Sequence, residues 1–269
     1  MYRNFLNLIR KIIPGKLYFY IRDIRYGLYS EVDCIYMLCR RISNCNVMID
    51  VGAHVGRSMI KFALNGWKVY AFEPDNNNRS KLKELINRYN VDVTIELMAV
   101  SDKIEENISF FRSDVSSGIS GLSIFDDSHK EVQKVKTTTL ENFCKKNNID
   151  KVDFFKIDTE GWDYFVLKGF PFEKITPRII LAEFEDHKTV PQGYTWKDMV
   201  NFLIDKGYTV AVSEWYPIIK YGGNHKWRDI KIYPCELIDK NATGNLIACK
   251  NEKDMEQIIQ NIKKYLKGK

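Results

Sequence analysis

Short apolar stretches alternate with longer amphipathic stretches along most of the chain, and this alternation predicts its secondary structure. The apolar, β-branched runs are typical of strands buried on both faces. They predict strands at residues 46–50, 68–72, 93–97, 152–157, 178–184, 209–213 and 245–249. Between them, apolar residues recur at helical spacing and predict helices at residues 56–64, 79–90, 140–147, 195–206 and 252–266. Strands that alternate with helices form a parallel sheet with crossover helices.

Two stretches interrupt this alternation. Residues 103–137 contain two strand-like runs on either side of a polar segment at 113–123, which predicts an added hairpin with a mobile loop. Residues 214–244 are rich in aromatic residues and are too irregular for one element. The whole pattern predicts an α/β fold with a Rossmann-like, mostly parallel seven-stranded sheet, an inserted hairpin and a long aromatic loop. Long loops over strand ends usually carry ligand contacts.

The length and composition limit the number of domains. The 269 residues, 45% of them hydrophobic, can bury one large core, or one core and a small appendage. We predict a basic, amphipathic helical segment over residues 1–44 and one α/β domain over residues 45–269. No run approaches the roughly eighteen apolar residues of a membrane span, and the opening residues do not read as a signal segment.

Basic residues are concentrated near the N-terminus. The formal net charge is +6, and residues 1–26 hold six Arg or Lys residues against one acid, interleaved with apolar residues. Two interpretations are open: the segment binds an anionic membrane surface or a phosphate-bearing carrier, or it packs on its own domain. The six cysteines are scattered without CxxC pairs, which favours reduced thiols in the cytoplasm, with the inner membrane face as a second location. A homo-oligomer is left open.

The first predicted strand ends in an acid and passes through a glycine-containing turn into a helix. Gly52 lets the backbone approach a ligand closely, and Gly56 lets the helix start against the strand. Asp50 suits a ligand that carries an ammonium group. Three residues separate the two glycines, so the turn lacks the GxGxxG pattern of a dinucleotide site. The turn is therefore less suited to bind a pyrophosphate through its backbone N–H groups.

Acids and small residues follow the next three predicted strands. Glu73 lies 21 residues after Gly52, where a carboxylate accepts hydrogen bonds from both ribose hydroxyls of an adenosine ligand. Asp158 and Glu160 follow the fourth strand, at the edge where open α/β sheets bind ligands. Small residues after the third strand could flank an adenine ring, namely Ala99, Val100 and Ser101. Together these features predict a nucleoside cofactor.

Taken in order, these motifs resemble the FkbM family of S-adenosylmethionine (SAM)-dependent methyltransferases. The resemblance rests on DVGAHVG (50–56), FEP (72–74), AVSD (99–102) and KIDTEG (156–161), followed by VLKG (166–169). It implies a class I methyltransferase fold, and methylation of a sugar hydroxyl in a glycan, a nucleotide sugar or a glycosylated natural product. The cofactor-binding residues that it implies, or that the strand ends suggest, are Asp50, Gly52, Ala53, His54, Gly56, Glu73, Pro74, Ala99, Val100, Ser101 and Asp158. His54 stands where the family pattern leads us to expect asparagine.

Other functions use part of this pattern. A NAD-dependent or nucleotide-sugar oxidoreductase would also place a strand-end acid at the ribose, but the missing GxGxxG counts against it. A non-catalytic protein that binds a nucleoside or a carrier could share the fold. We do not expect a nucleic-acid partner, because the basic residues cluster at the termini and no Asn-Pro-Pro-Tyr-type motif of base flipping occurs.

Methyl transfer to a sugar hydroxyl needs a base, a metal or both, because the hydroxyl is a very weak acid. In one arrangement, Asp158 and Glu183, helped by Glu185, bind Mg²⁺ through carboxylate oxygens. In a second, no metal binds and a histidine is the general base. In a third, a carboxylate with a pKa raised by burial accepts the proton. The candidate catalytic residues are Asp158, Glu160, His187 and His225.

The aromatic loop supplies candidates for acceptor binding. A pyranose ring has an apolar C–H face that can stack on aromatic rings. The residues that could form such a floor, with a histidine beside them, are Trp215, Tyr216, Tyr221, His225 and Trp227. A small satellite core under the loop is the alternative interpretation.

Overall fold

A computed structural model describes residues 14–26, 30–42, 46–223 and 225–267, without the side chains of residues 22–26. The strands are β1 (Val47–Val51), β2 (Lys68–Phe72), β3 (Val93–Glu96), β4 (Ala99–Val100), β5 (Ile108–Ser113), β6 (His129–Val135), β7 (Thr137–Thr138), β8 (Phe154–Ile157), β9 (Ile179–Glu185), β10 (Thr209–Trp215), β11 (Trp227–Ile232) and β12 (Thr243–Cys249). The α-helices are α1 (Gly15–Tyr26), α2 (Glu31–Cys39), α3 (Ile60–Leu64), α4 (Asn76–Tyr89), α5 (Leu140–Lys146), α6 (Asp163–Lys168), α7 (Asp186–Thr189), α8 (Trp196–Asp205) and α9 (Glu252–Leu266).

The main sheet has the strand order β11-β10-β12-β9-β8-β1-β2-β3. The five strands from β9 to β3 are parallel, and β12, β10 and β11 join them by antiparallel pairing. The chain runs outward from β1 to β3 and then returns to place β8 on the other side of β1. This reversal between β1 and β8 opens a crevice at their carboxyl ends, which is where open α/β sheets bind ligands.

Both faces of the sheet are covered by helices, because the central strands are apolar on both sides. Side chains of α5, α6 and α8 pack on one face, in a buried cluster that includes Phe143, Leu167 and Leu203. Side chains of α2, α3, α4 and α9 pack on the other, in a cluster that includes Phe62 and Ile258. The α/β interpretation of the sequence is thereby confirmed.

Several predicted elements coincide with observed ones. The strand at 68–72 and the helix at 252–266 match β2 and α9 at both ends. The hairpin predicted within 103–137 is formed by antiparallel β5 and β6. The count of seven strands is wrong, since the sheet of the described chain has eight. The additional strand, β11, comes from the aromatic stretch that lacked regular alternation; it pairs with β10, so tertiary packing decides its conformation.

The described part of the N-terminal segment contacts the α/β domain. Helix α2 packs on α9, and its Glu31 accepts hydrogen bonds from the side chains of Ser213 (2.6 Å) and Trp215 (2.7 Å) on β10. Cys34 and Cys39 are buried in this helix. Residues 1–13 of the predicted basic segment lie outside the described residues, and its boundary at residue 44 stays a prediction. None of the described helices is long and apolar enough to cross a membrane.

Candidate active site

The turn after β1 holds the loops of β1 and β8 in contact. Gly52 has a φ of +77°, and a Cβ atom at this position would lie 1.8 Å from the backbone oxygen of Asp158. Only glycine fits such a close approach in the left-handed region. The N–H groups of Gly52 and Ala53 both donate to the carbonyl of Phe72 at 3.0 Å. The turn therefore ties together the ends of β1, β2 and β8.

The structure gives Asp50 partners within the protein itself. Its side chain is completely buried and accepts a hydrogen bond from Ser58. The ammonium group of Lys156 on β8 lies 3.2 Å from Asp50 and 3.3 Å from Asp158, and it donates to the carbonyl of Gly52 at 2.8 Å. In this structure the cation beside Asp50 is Lys156, and contact between Asp50 and a ligand ammonium stays a prediction.

Lys156 is a site residue that sequence reasoning missed. It lies in β8, where all four residues are buried, and a lysine in an apolar strand is the signal that could have revealed it. Burial alone lowers the pKa of a lysine, but Asp158 and Asp50 outweigh this effect and raise the pKa of Lys156 above its usual value. The lysine is therefore a permanent cation beneath the turn.

Glu73 follows β2 and points toward the same turn. Its two carboxylate oxygens accept hydrogen bonds from the backbone N–H groups of His54 and Asp75, each at 2.8 Å. Burial raises the pKa of Glu73 to about 7. Each oxygen keeps a second lone pair for a ligand hydroxyl. Glu73 therefore has the position and the chemistry predicted for a ribose acceptor.

A small cavity of about 40 Å³ extends from Glu73 to the strand end where the adenine site was predicted. Ser101 is buried beside it, where its hydroxyl accepts a hydrogen bond from the indole of Trp162 at 3.1 Å. The predicted cofactor residues that line the cavity are Gly52, Glu73, Pro74, Ala99, Val100 and Asp158. Its volume is close to that of one or two water molecules. Residues 120–122 close one side of it.

The loop between β5 and β6 lies over the turn. The ring of His54 forms a hydrogen bond with the hydroxyl of Ser117 (2.9 Å), and Asn78 donates to the carbonyl of Ser117 (3.3 Å). Burial lowers the pKa of His54. His54 also adopts a left-handed φ of 50°, a conformation that histidine tolerates better than most residues. Gly56 has a φ of +82° and lies beside Leu82, but α3 begins at Ile60, four residues after the predicted start of the helix.

Three carboxylates meet at the ends of β8 and β9. Asp158, Glu160 and Glu183 each offer an oxygen atom, and these atoms lie within 4.8 Å of one another. Glu160 has a left-handed φ of 59°, which is unusual for glutamate and occurs where the surrounding structure holds the backbone. Burial raises the pKa of Glu160 to about 7 and raises that of Glu183 well above its usual value. We call Asp158, Glu160, Glu183 and Glu185 the acid cluster.

The acid cluster surrounds a second buried lysine that the sequence did not reveal. The ammonium of Lys188 lies 2.5 Å from Glu160, 2.8 Å from Glu185 and 3.3 Å from Glu183. Asp158 is the most exposed acid of the four, with 41% of its side chain accessible. The ammonium of Lys188 lies between Glu160, Glu183 and Glu185, so it neutralises two of the three acids that have the spacing of metal ligands, Glu160 and Glu183. The signal in the sequence was the lysine within the acidic run after β9.

The two candidate histidines differ in position. His187 is exposed, and its ring forms a hydrogen bond with the carbonyl of Phe125 at 3.2 Å. His225 is also exposed, but it borders a cavity of about 290 Å³ that includes Glu160, Glu183 and Tyr221. We call this cavity the acceptor cavity. The structure therefore brings His225, but not His187, to the predicted acceptor site.

Most of the predicted aromatic floor does not line the acceptor cavity. Trp227 is 5% exposed and donates to the hydroxyl of Ser213 at 3.0 Å. Trp215 donates to Glu31, as described above, and packs with the core beneath α9. Tyr216 is exposed under the guanidinium of Arg228. The two indoles are thus part of a packed core, which corrects their substrate assignment, and of the four aromatic residues Tyr221 is the one among the cavity's lining residues.

Comparisons with known proteins give one family. The sequence profile of the methyltransferase FkbM domain matches residues 50–210. A comparison with curated proteins found no match. Similar solved structures include precorrin-6y C5,15-methyltransferase from Geobacter metallireducens GS-15, with 13% identity over 82% of this chain and 88% of that chain and a TM-score of 0.42. Another is magnesium protoporphyrin IX methyltransferase from Synechocystis PCC 6803 with bound SAM, with 14% identity over 86% and 83% and a TM-score of 0.42.

The profile match extends from the acid at the end of β1 to the start of β10 and covers more than half of the chain. It therefore includes the glycine turn, Glu73 and the acid cluster, on a sheet with the mostly parallel order predicted for a class I methyltransferase. The protein belongs to the FkbM family and is a SAM-dependent methyltransferase.

Proposed function

We propose that this enzyme transfers the methyl group of SAM to a hydroxyl group of a sugar. The observation that carries the proposal is the position of the acid cluster. Its member Asp158 lies beside the cofactor turn and also lines the acceptor cavity. A sugar presents several weakly acidic hydroxyls, and carboxylates both accept their hydrogen bonds and remove a proton. An acceptor that already carries a good nucleophile would need no such cluster.

Within this proposal, Glu160 is the general base. It borders the acceptor cavity, and its pKa of about 7 suits a proton acceptor near neutral pH. Asp158, whose side chain is 41% exposed, orients the acceptor or meets the ammonium of SAM, whereas Asp50 is completely buried. No metal ion is part of this mechanism. The methyl group moves in line from sulfur to the hydroxyl oxygen, and the hydroxyl proton moves to Glu160.

The cofactor would lie across the ends of β1, β2 and β4. Its amino-acid end would contact the turn at Gly52–His54, and its ribose would contact Glu73. The cavity of about 40 Å³ is too small for adenine, so adenine binding there would displace lining residues, and residues 120–122 are among them. The loop between β5 and β6 carries these residues and is held over the turn by the hydrogen bonds of Ser117 with His54 and Asn78. A displacement of this loop would therefore also affect the contacts of the cofactor turn.

The decisive experiment is a methyl-transfer assay with the whole chain and isotope-labelled SAM. The acceptors should include nucleotide sugars, free oligosaccharides, and phenols and amines of similar size. We expect a labelled methyl ether on a sugar and none with Glu160→Gln. Binding of S-adenosylhomocysteine (SAH) and NAD should be measured by calorimetry alongside. Label on an amine or a phenol alone, or tighter binding of NAD than of SAH, would contradict the proposal.

We also propose that α1 brings the enzyme to an anionic membrane that carries its acceptor. Phe19 faces inward, 5.7 Å from the ring of Tyr89, whereas Leu17, Tyr20 and Ile21 are exposed on one side of the helix. An exposed apolar stripe on a basic segment is typical of helices that lie on membrane surfaces. Replacing the three exposed residues by Ser should weaken binding to vesicles with anionic lipids. Ile104→Ser with Ile238→Ser is the control, since both residues are exposed elsewhere.

A further inference from the structure

Lys188 differs from an ordinary surface lysine in its surroundings. It lies in α7, directly after β9, and 2% of its side chain is exposed. An ammonium group has three donors, and three carboxylates lie within 3.3 Å of this one, those of Glu160, Glu183 and Glu185. The rings of Phe125 and Tyr221 enclose it further, with centroids 5.3 and 5.7 Å from the nitrogen. The charge is therefore fixed in place from several directions.

The lysine also supports the backbone that carries Glu160. A Cβ atom at Gly161 would lie 3.0 Å from the Cβ of Lys188, so the loop after β8 rests directly on this residue. Glu160 and Gly161 both have left-handed φ values. The hydroxyl of Tyr194 donates to the carbonyl of Gly161 at 3.0 Å and holds the loop from the other side. The orientation of Glu160 thus depends on contact with Lys188 as well as on their ion pair.

We propose that Lys188 is the built-in cation of the acceptor site, which takes the place that a divalent ion would have among these carboxylates. It is a positioning residue: it holds Glu160 toward the acceptor cavity and allows four acids to share one site. The inference rests on the proposed function of the acid cluster. The cation it supplies lies against Glu160 and Glu183, two of the three acids that have the spacing of metal ligands.

Removal of the lysine tests this proposal by chemical rescue. Lys188→Ala should lower kcat by about 10- to 100-fold, as expected for the loss of hydrogen bonds to a charged group. Ethylammonium or Mg²⁺ should restore part of the activity in a saturable manner, because either cation can enter the space that the side chain leaves. SAH affinity should change by less than about threefold, which separates this effect from loss of the cofactor site.

Matched variants make the rescue specific. Lys188→Met fills the same space without charge and should lose activity without responding to either cation. Lys61→Ala removes another buried lysine, which pairs with Asp33 at 2.5 Å outside the acid cluster, and its activity should not respond to ethylammonium. Equal rescue of all three variants, or no rescue of folded Lys188→Ala that still binds SAH, would overturn the proposal.

Metal binding gives a readout that does not depend on methyl transfer. Wild-type enzyme should keep full activity in EDTA and should bind no Mn²⁺ in calorimetry, whereas Lys188→Ala should gain one Mn²⁺ site that Glu183→Gln removes. Binding of Mn²⁺ by the wild type at a site lost in Glu183→Gln would overturn the proposal even if Lys188→Ala does not fold. If the wild type methylates no sugar but Lys188→Ala gains the Mn²⁺ site, the proposed function is wrong, whereas the proposal that Lys188 replaces a divalent ion is supported.

Discussion

Two buried lysines lie at neighbouring strand ends of this enzyme, and their surroundings differ in charge. Lys156, beneath the cofactor turn, contacts the carboxylates of Asp50 and Asp158 and a backbone carbonyl. Lys188, beside the acceptor cavity, contacts three carboxylates, with Asp158 adjoining the same cluster. Both side chains are nearly inaccessible, at 6% and 2%. The first lysine has two carboxylate neighbours, whereas the second has three and a fourth acid close by, so the excess of acid is larger around Lys188.

We relate this difference to function: the buried charges around Lys156 have a structural role, and those around Lys188 have a role in catalysis. Around Lys156 there is one carboxylate more than the single cation, and its ion pairs and its hydrogen bond to the carbonyl of Gly52 hold the loops of β1 and β8 together. Around Lys188, burial and then the neighbouring acids outweigh the opposing effect of the lysine, and they raise the pKa of Glu160 to about 7 and that of Glu183 well above its usual value. A group that takes up and releases a proton near neutral pH belongs at the acceptor cavity rather than beneath the turn.

The largest effect is expected from Glu160→Gln. The amide keeps the size of the side chain but cannot accept the hydroxyl proton, so kcat should fall by about 10²- to 10⁴-fold. Steady-state kinetics with saturating SAM measures this, and calorimetry should show SAH affinity within about threefold of wild type. Glu141→Gln, which alters an exposed ion pair with Lys174, should leave kcat unchanged. Normal kcat in Glu160→Gln would mean that Glu160 is not the general base and that the acids around Lys188 have no catalytic role.

The pH dependence tests the same assignment in the unmodified enzyme. Glu160 must be deprotonated to act as a base, so kcat/KM should rise with pH and level off above its pKa of about 7. The residual activity of Glu160→Gln should lack this rise. A histidine could give a similar profile, so His225→Ala is the control and should keep it. Loss of the rise in His225→Ala, but not in Glu160→Gln, would move the base to the histidine.

Lys156→Met should mainly affect stability. It leaves Asp50 buried without its cation, and removal of one partner of a buried pair costs about 3 to 5 kcal/mol. Urea unfolding should show this loss, and Asp50→Asn combined with Lys156→Met should recover much of it. Lys151→Met, at an ion pair in which the lysine side chain is 51% exposed, should cost less than about 1 kcal/mol. Equal losses in the two lysine variants would mean that Lys156 is not a structural cation.

The sequence predicted the elements far better than the direction of individual side chains. A continuous apolar run located β2 to the residue, and apolar residues at helical spacing located α9, because β2 is buried on both faces and α9 on one. Gly52 and Glu73 were predicted from their strand-end positions, and the structure places both at the turn after β1, where their cofactor contacts stay a prediction. Lys156 and Lys188 were missed because a charged residue is normally exposed, and the fold adds Asp50 and Glu160 from a neighbouring strand to the acids that lie close to each lysine in the sequence. Trp215 and Trp227 were misassigned since β11 was not predicted, and its pairing turns their indoles into the core.

The smallest effect is expected from Glu73→Ala. Glu73 is a buried acid like Glu160, but its hydrogen bonds in the described chain come from backbone N–H groups and not from a lysine. This variant therefore tests whether a buried acid with a raised pKa must be the base. Its pKa of about 7 results from burial, as at Glu160, but it faces the turn and not the acceptor cavity. Loss of a charged hydrogen bond costs about 1.5 to 3 kcal/mol, so SAH affinity should fall by roughly 10- to 100-fold. At saturating SAM, kcat should change far less than in Glu160→Gln, because the ribose contact is the same before and during transfer. Glu106→Ala, at an exposed ion pair with Lys136, is the control for binding. Unchanged SAH affinity in Glu73→Ala would remove Glu73 from the cofactor site, and a kcat loss equal to that of Glu160→Gln would mean that a raised pKa alone does not mark the base.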